Sequence, residues 1–236
     1  MTVTRAASLH KPELVCPAGT PTAALCSAVL PRGYSQADVL FDACARWAGH
    51  FGCPLVGGDI AVADGPGLVL SVTVLGAPHP RRGPVGRRGA RRGDLVYVTG
   101  ELGGSFDQAT GLGRHLTFEP RLREATALAD LLGDGLHAMM DVSDGLGIDG
   151  GRLARASGVR LDLEARGFPA RDWRAALRDG EDHELLFTAA PGARVPEEVA
   201  GTRVTRIGVV VEGSGCWVLG PAGEVLEASA EGWEHV

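Results

Sequence analysis

The sequence predicts a mixed α/β chain, and three observations predict it. Short apolar runs recur and end in acidic, glycine-bearing turns, as in Leu136–Met140 before Asp141-Val142-Ser143-Asp144-Gly145. Segments with helical spacing follow some of these runs, with Leu146, Ile148, Leu153 and Ala156 forming one such face. From Glu184 onward the chain alternates short β-type runs with turns. Strands leading into helices, followed by a strand-rich tail, suit helices packed on mixed sheets.

Each element can be read in order. Thr22–Leu30 is a small-residue apolar run closed by Pro31, a strand pattern. Ser35 is positioned to cap a helix reaching about His50, with Val39, Leu40, Ala43, Trp47 and Phe51 as its apolar face. Strands are expected at Leu55–Val56 and Leu68–Leu75. Residues 77–93, rich in Pro, Gly and Arg, read as a linker. Beyond it the patterns give a strand at Leu95–Thr99 and a helix over Arg121–Leu132. A strand at Leu136–Met140 is followed by a helix over Leu146–Ala156, with Gly158 as its C-cap. Later strands are expected at Val159–Leu163, Leu185–Thr188, Val204–Val211, Cys216–Leu219 and Val225–Leu226. This divides the chain into domains of 1–84 and 85–236, with residues 1–20 poorly structured.

Composition narrows the function classes. The 236 residues are 44% hydrophobic, enough for a core, and carry a net charge of −6. That charge argues against bulk nucleic-acid binding. Lys11 is the one lysine, so a Walker P-loop, which needs a lysine after its glycines, is excluded. Any nucleotide must be held by carboxylate-bound Mg²⁺, backbone N–H groups and arginine. The five cysteines (Cys16, Cys26, Cys44, Cys53 and Cys216) are odd in number and form no CxxC, which suggests neither a disulfide framework nor zinc. No signal peptide or membrane-length apolar stretch is visible, so a cytoplasmic protein away from membranes is expected.

The chemistry-bearing residues lie in three turns. Asp141 and Asp144 are hard oxygen donors of the kind Mg²⁺ takes one or two of beside phosphate and water. Ser143 adds a hydroxyl, and the start of the following helix favours an anion. An ordinary Asp/Ser helix cap would read the same way. Leu55-Val56-Gly57-Gly58-Asp59 runs a strand into a diglycine and a carboxylate. Gly180-Glu181-Asp182-His183-Glu184 precedes the strand at Leu185. Each turn alone is weak evidence; three at strand edges form a rarer constellation.

These segments resemble the thiamine-monophosphate kinases, of the superfamily that includes aminoimidazole ribonucleotide synthetase. The resemblance rests on LVGGD (Leu55–Asp59), LSVTVLG (Leu70–Gly76), RRGARRGDLVYVTGELGG (Arg87–Gly104), HLTFEPR (His115–Arg121), MDVSDGL (Met140–Leu146), GEDHELLFT (Gly180–Thr188) and the terminal Gly232-Trp233-Glu234-His235. Order and spacing follow the family from about Pro21. The resemblance implies an ATP-binding N-terminal domain and a synthetase-like α/β C-terminal domain. It implies phosphorylation of thiamine monophosphate to thiamine diphosphate, with ATP as co-substrate and Mg²⁺ as cofactor. It assigns metal roles to Asp59, Asp141 and Asp144, and ATP contacts to Gly58, Asp59, Arg87 and Ser143. Glu181 and Trp233 fall on positions that contact the thiamine moiety. His115 and Arg121 match a motif without a catalytic role, and His183, Trp47 and Trp173 read as structural.

One departure accompanies the resemblance. The family's further N-terminal segment, with an Asp-rich metal site and a substrate-contacting His, has no counterpart here, and Glu13 is the nearest substitute for one of its aspartates. An incomplete N-terminal domain and a reduced metal cluster are therefore expected. Superfamily relatives are dimers whose N-terminal sheets pair, which leaves a homodimer open. The alternatives are a non-catalytic nucleotide- or thiamine-phosphate-binding homologue, and another superfamily ATPase acting on a purine intermediate. The GEDHELLF and GWEH matches favour the thiamine kinases over the second.

Overall fold

The computed structural model describes residues 19–107 and 109–233. The readings made for residues 1–18, Glu13 among them, and for Glu234 and His235 lie outside these. The chain forms two compact units that divide between Ala77 and Pro78.

The first unit is a four-stranded sheet with one helix. Strand β1 (Thr20–Pro31) pairs antiparallel with β4 (Val69–Ala77) along one edge. Its other edge pairs parallel first with β2 (Leu55–Gly57) and then with β3 (Ile60–Ala63). Strands β2 and β3 are thus one line of pairing interrupted at Gly58-Asp59. The period of two sends Ala24, Cys26, Ala28 and Leu30 of β1 to one buried face, where Leu40 of helix α1 (Ala37–His50) joins the same cluster. The helix starts later than Ser35 suggests. Gln36 is its N-cap without a side-chain cap bond, because the chain is still turning there, with Tyr34 N–H bonded to the Pro31 carbonyl. Strand β3 has no sequence signal beyond four small apolar residues and was not expected.

The second unit is an eight-stranded mixed sheet in the order β12-β11-β7-β10-β5-β8-β6, with β9 on β10. Its strands are β5 (Leu95–Thr99), β6 (Leu136–Val142), β7 (Arg160–Glu164), β8 (Glu184–Ala189), β9 (Glu198–Val199), β10 (Thr202–Val211), β11 (Gly215–Leu219) and β12 (Val225–Glu227). Three helices pack on it: α2 (Leu122–Leu132), α3 (Leu146–Ser157) and α4 (Trp173–Arg178). Alternation along the central strands builds two cores. Val96, Val98 and Leu186 join Leu146, Leu153 and Leu177 of α3 and α4. Tyr97, Leu185 and Phe187 join Ala125 and Leu128 of α2. Burial on both faces explains why β5 and β8 read as unbroken apolar runs. Helix α4 and β9 are too short to show a period and escaped the sequence; α4 is signalled only by Asp172, which caps it by accepting from Arg174 N–H.

The stretch read as a linker is packed. His79, Val85 and Ala90 are buried, Arg82 donates to the Leu136 carbonyl, and Met139 N–H donates to Gly86. These contacts put residues 78–84 in the second unit, so the boundary expected after residue 84 lies earlier.

Candidate active site

The turn after β6 is built around a buried carboxylate that the sequence reading passed over. Asp149, inside the first turn of α3, accepts from the backbone N–H of Ser143 and of Asp144, both at 2.9 Å. Its second oxygen takes Arg152 at 2.7 Å, and Arg152 also pairs with Asp144. Burial pushes the Asp149 carboxyl up to about 6, while the Asp144 N–H and Arg152 pull it back. The i,i+3 spacing of Asp149 and Arg152 on a helix was the available signal.

The acidic residues are not spent on capping. The N-cap of α3 is Gly145, with no side-chain cap bond. Its φ is 112°, and a Cβ there would lie 2.4 Å from the Leu177 carbonyl oxygen, so only glycine fits. The helix start is also less open to an anion than expected, because Ile148 N–H donates to the Glu231 carbonyl.

Two sequence-predicted site residues of the second unit, Glu181 and Trp233, and the neighbouring His183 are stitched to this turn. Glu181 N–H donates to the Ser143 carbonyl at 2.6 Å, and Trp233 N–H donates to the Asp144 carbonyl at 2.8 Å. His183 N–H donates to Val142 at 2.7 Å. Asp141, the last residue but one of β6, is half-buried, and His183 Nδ1 lies 3.7 Å from its carboxylate. The Trp233 side chain is 61% exposed, available to a ligand.

The Gly180–Glu184 turn alternates in role. Asp182 and Glu184 face inward. Asp182 accepts from Gly103 N–H, Ser105 Oγ and Arg114; Glu184 accepts from Thr99 Oγ1 and from two nitrogens of Arg121. Burial raises the Asp182 carboxyl, and those three donors oppose the rise. Glu181 and His183, between them, have φ of 55° and 52°, which side chains rarely adopt. Such strain concentrates at functional sites. Three of the buried polar atoms without a hydrogen-bond partner lie here: His115 Nε2, Glu181 Oε2 and His183 Nε2.

The remaining candidates lie elsewhere. Arg87 is exposed, and its carbonyl accepts from Ser157 at the end of α3. Its backbone is thus about 18 Å, the length of that helix, from the turn at the helix start. Gly58 and Asp59 belong to the first unit. Asp59 is exposed, and its carbonyl accepts from Ala28 N–H at 2.8 Å. An open depression of about 660 Å³ beside them is lined by Cys26, Phe41, Leu55, Val56 and Ile60.

Among the described residues no three His, Cys, Asp or Glu side chains converge as a protein-only metal site would require. Mg²⁺ bound together with a nucleotide needs fewer, one or two carboxylates completed by phosphate and water. The accessible carboxylate of Asp141 in the second unit fits that donor set, and so, taken by itself, does that of Asp59 in the first. Asp144 differs, since Arg152 already pairs with its carboxylate.

The family model described as AIR synthase related protein, C-terminal domain, matches residues 91–219. The chain is 34% identical to thiamine-monophosphate kinase of Rhodopirellula baltica over 98% of its own length and 75% of that protein. It is 37% identical to thiamine-monophosphate kinase of Mycobacterium tuberculosis (strain H37Rv) over 64% of its length, spanning 51% of that protein. Among solved structures, AaThiL complexed with AMPPCP and TMP superposes with a TM-score of 0.79 at 27% identity, covering 100% of this chain and 82% of that one. Aligned to such an extent, and with its matched Asp141–Asp144 and Gly180–Glu184 turns bonded together, this chain belongs to the thiamine-monophosphate kinases.

Proposed function

We propose that this chain transfers the γ-phosphoryl group of ATP to the phosphate of thiamine monophosphate, giving thiamine diphosphate. The relatives it matches bear that name, and one is solved with AMPPCP and TMP. The observation that carries the reading within this chain is the Glu181 N–H···Ser143 bond. It ties the residue matched to thiamine recognition to the residue matched to the nucleotide.

In this reading Asp141, with Asp144 and Arg152 beside it, would hold Mg²⁺ at the second unit's turn, and Asp59 is a metal-binding carboxylate of the first unit. Bound Mg²⁺ supplies positive charge against the β- and γ-phosphates. Ser143, Gly58 and Arg87 serve the nucleotide. Glu181 accepts from the aminopyrimidine or balances the thiazolium, and the exposed Trp233 ring packs on that cation. The attacking phosphate oxygen is already anionic, so no side chain has to remove a proton, and positioning dominates. Cytoplasmic residence belongs to the same proposal: Cys26, Cys44, Cys53 and Cys216 are free thiols, suited to a reducing compartment. Among the described residues no helix is long and apolar enough to cross a membrane. A homodimer through the first unit is supported by its exposed Val56, Ile60, Val62 and Leu75.

The test is thiamine diphosphate formation from ATP and thiamine monophosphate, with Mg²⁺ and with a chelator. ATP binding is titrated in parallel, with and without Mg²⁺, for wild type and Asp141→Asn. Asp141→Asn is expected to weaken Mg·ATP binding by ~1–3 kcal/mol, the scale of one unsatisfied charged partner. Equal binding in every case would refute the metal assignment.

A further inference from the structure

His115 sits on a short 3-10 turn (Arg114–Leu116) and is 2% exposed. Its ring stands edge-on to Phe106 at 5.0 Å. Its Nδ1 lies 3.0 Å from the Ser105 carbonyl oxygen, which can only accept, so Nδ1 carries a hydrogen. The other nitrogen, Nε2, is buried without a hydrogen-bond partner, and so is Glu181 Oε2. The two face each other at 3.7 Å.

With Nδ1–H committed, a lone pair on Nε2 would confront a carboxylate oxygen, leaving two desolvated acceptors against each other. One hydrogen on Nε2 turns the clash into an ion pair across 3.7 Å, and an approach of a few tenths of an ångström or more would make it a hydrogen bond that satisfies both atoms. The neighbouring charges are engaged elsewhere. Arg114 is directed to Asp182 and Glu101, and Asp182 to Ser105 and Gly103. Glu181 holds a left-handed backbone, and its side chain is 41% exposed beyond the buried oxygen. A carboxylate so placed is anchored at one oxygen and presented to solvent by the rest.

We propose that His115 is a positioning residue, whose Nε2–H holds the Glu181 carboxylate in the orientation that meets the substrate's thiamine moiety. This rests on the reading of Glu181 as a substrate contact. The pair discriminates at the organic end of the substrate and leaves the phosphates to the other turns. A His115→Phe variant keeps the ring and loses both nitrogens; His115→Gln restores one N–H.

Two readouts test it. In ¹⁵N-labelled protein without ligand, the His115 imidazole should show a hydrogen on Nε2 that is lost or shifted in Glu181→Gln; an Nε2 without hydrogen in wild type overturns the pairing. In steady-state kinetics, His115→Phe should raise KM for thiamine monophosphate roughly ten- to hundredfold, the effect of one charged hydrogen bond. Its kcat and its KM for ATP should stay within about twofold, His115→Gln should recover part of the loss, and adding Glu181→Gln to His115→Phe should cost little more. If Glu181→Gln raises that KM and His115→Phe does not, the inference is overturned and the reading of Glu181 stands. If Glu181→Gln leaves it unchanged, the substrate reading of Glu181 fails and the kinetic role of His115 fails with it.

Discussion

The Gly57–Asp59 turn and the Asp141–Asp144 turn look alike as sequence, each an apolar strand running into glycine and aspartate, yet they are supported in opposite ways. At Gly58 the backbone itself makes the fit. A Cβ there would lie 1.8 Å from the Cys26 carbonyl oxygen, so the line of β2 and β3 can run alongside β1 at that point only with hydrogen in place of a side chain. The neighbouring Asp59 is left exposed. At the second turn side chains make the fit: Asp149 gathers two backbone N–H groups and Arg152. A turn held by close backbone approach depends on one residue being small. A turn held by a buried ionic network depends on several residues, and each is costly to remove.

The largest expected effect tests that contrast directly. Asp149→Ala leaves two N–H groups without their acceptor and Arg152 with Asp144 alone, and should cost ~3–5 kcal/mol, the range for breaking a buried pair by deleting one partner. The measurement is urea unfolding, with hydrogen exchange locating the opening at the Ser143–Ile148 amides. A cost below that of Gly58→Ala would invert the comparison.

Gly58→Ala should cost ~1–3 kcal/mol by overpacking, because the strands must part to admit the methyl. Hydrogen exchange should rise in β1, β2 and β3 and stay unchanged in β5, β6 and β8. Exchange that rises equally in both units would show that the glycine's role is not local.

The smallest effect concerns whether the Gly180–Glu184 turn is held as the Asp149 network is. Asp182→Asn should cost ~1 kcal/mol, the net value of one hydrogen bond, since the amide keeps an acceptor and loses a charge. Burial raises the Asp182 carboxyl, so the folded chain binds this proton more tightly than the unfolded chain. Its contribution is complete below the ordinary carboxylate value and declines as pH rises through the raised one. The stability of wild type minus that of Asp182→Asn should therefore fall as pH rises from the ordinary carboxylate value through the raised one. A difference that grows with pH would mean that Ser105, Gly103 and Arg114 outweigh the burial.

What the sequence revealed follows the range of the interaction. Strands β1, β5, β6, β8 and β10 announce themselves by apolar runs and helices α1, α2 and α3 by period, and Gly158 does close α3 in the left-handed conformation, with φ of 68°. Helix α4 and strands β3 and β9 do not, since a few residues cannot display a period. Asp141, Ser143, Asp144, Glu181 and Trp233 could be singled out because each lies in a short local motif. Asp149, Arg152 and Arg114 lie in none, and the motifs that hold Asp182 and His115 do not tell their roles, which depend on partners far along the chain: Asp182 meets Ser105 and His115 meets Glu181 only after β5, β6 and β8 have brought those loops together. The packed 78–93 stretch was misread for the same reason: its Pro, Gly and Arg composition suits a linker, and nothing local tells that Arg82 will reach the Leu136 carbonyl.

The alternation along Glu181-Asp182-His183-Glu184 also bears on how such a loop diverges over time. Asp182 and Glu184 anchor the segment, so replacing either disturbs the fold before it disturbs recognition. Glu181, with its side chain 41% exposed, carries little of that burden, and exchanging it alters what the loop greets without unfastening it, whereas His183 is stacked on Phe118. Their positive φ narrows the choice, favouring glycine, asparagine, aspartate or histidine as successors. A lineage can thus explore new ligand chemistry at position 181 while positions 182 and 184 keep the scaffold constant.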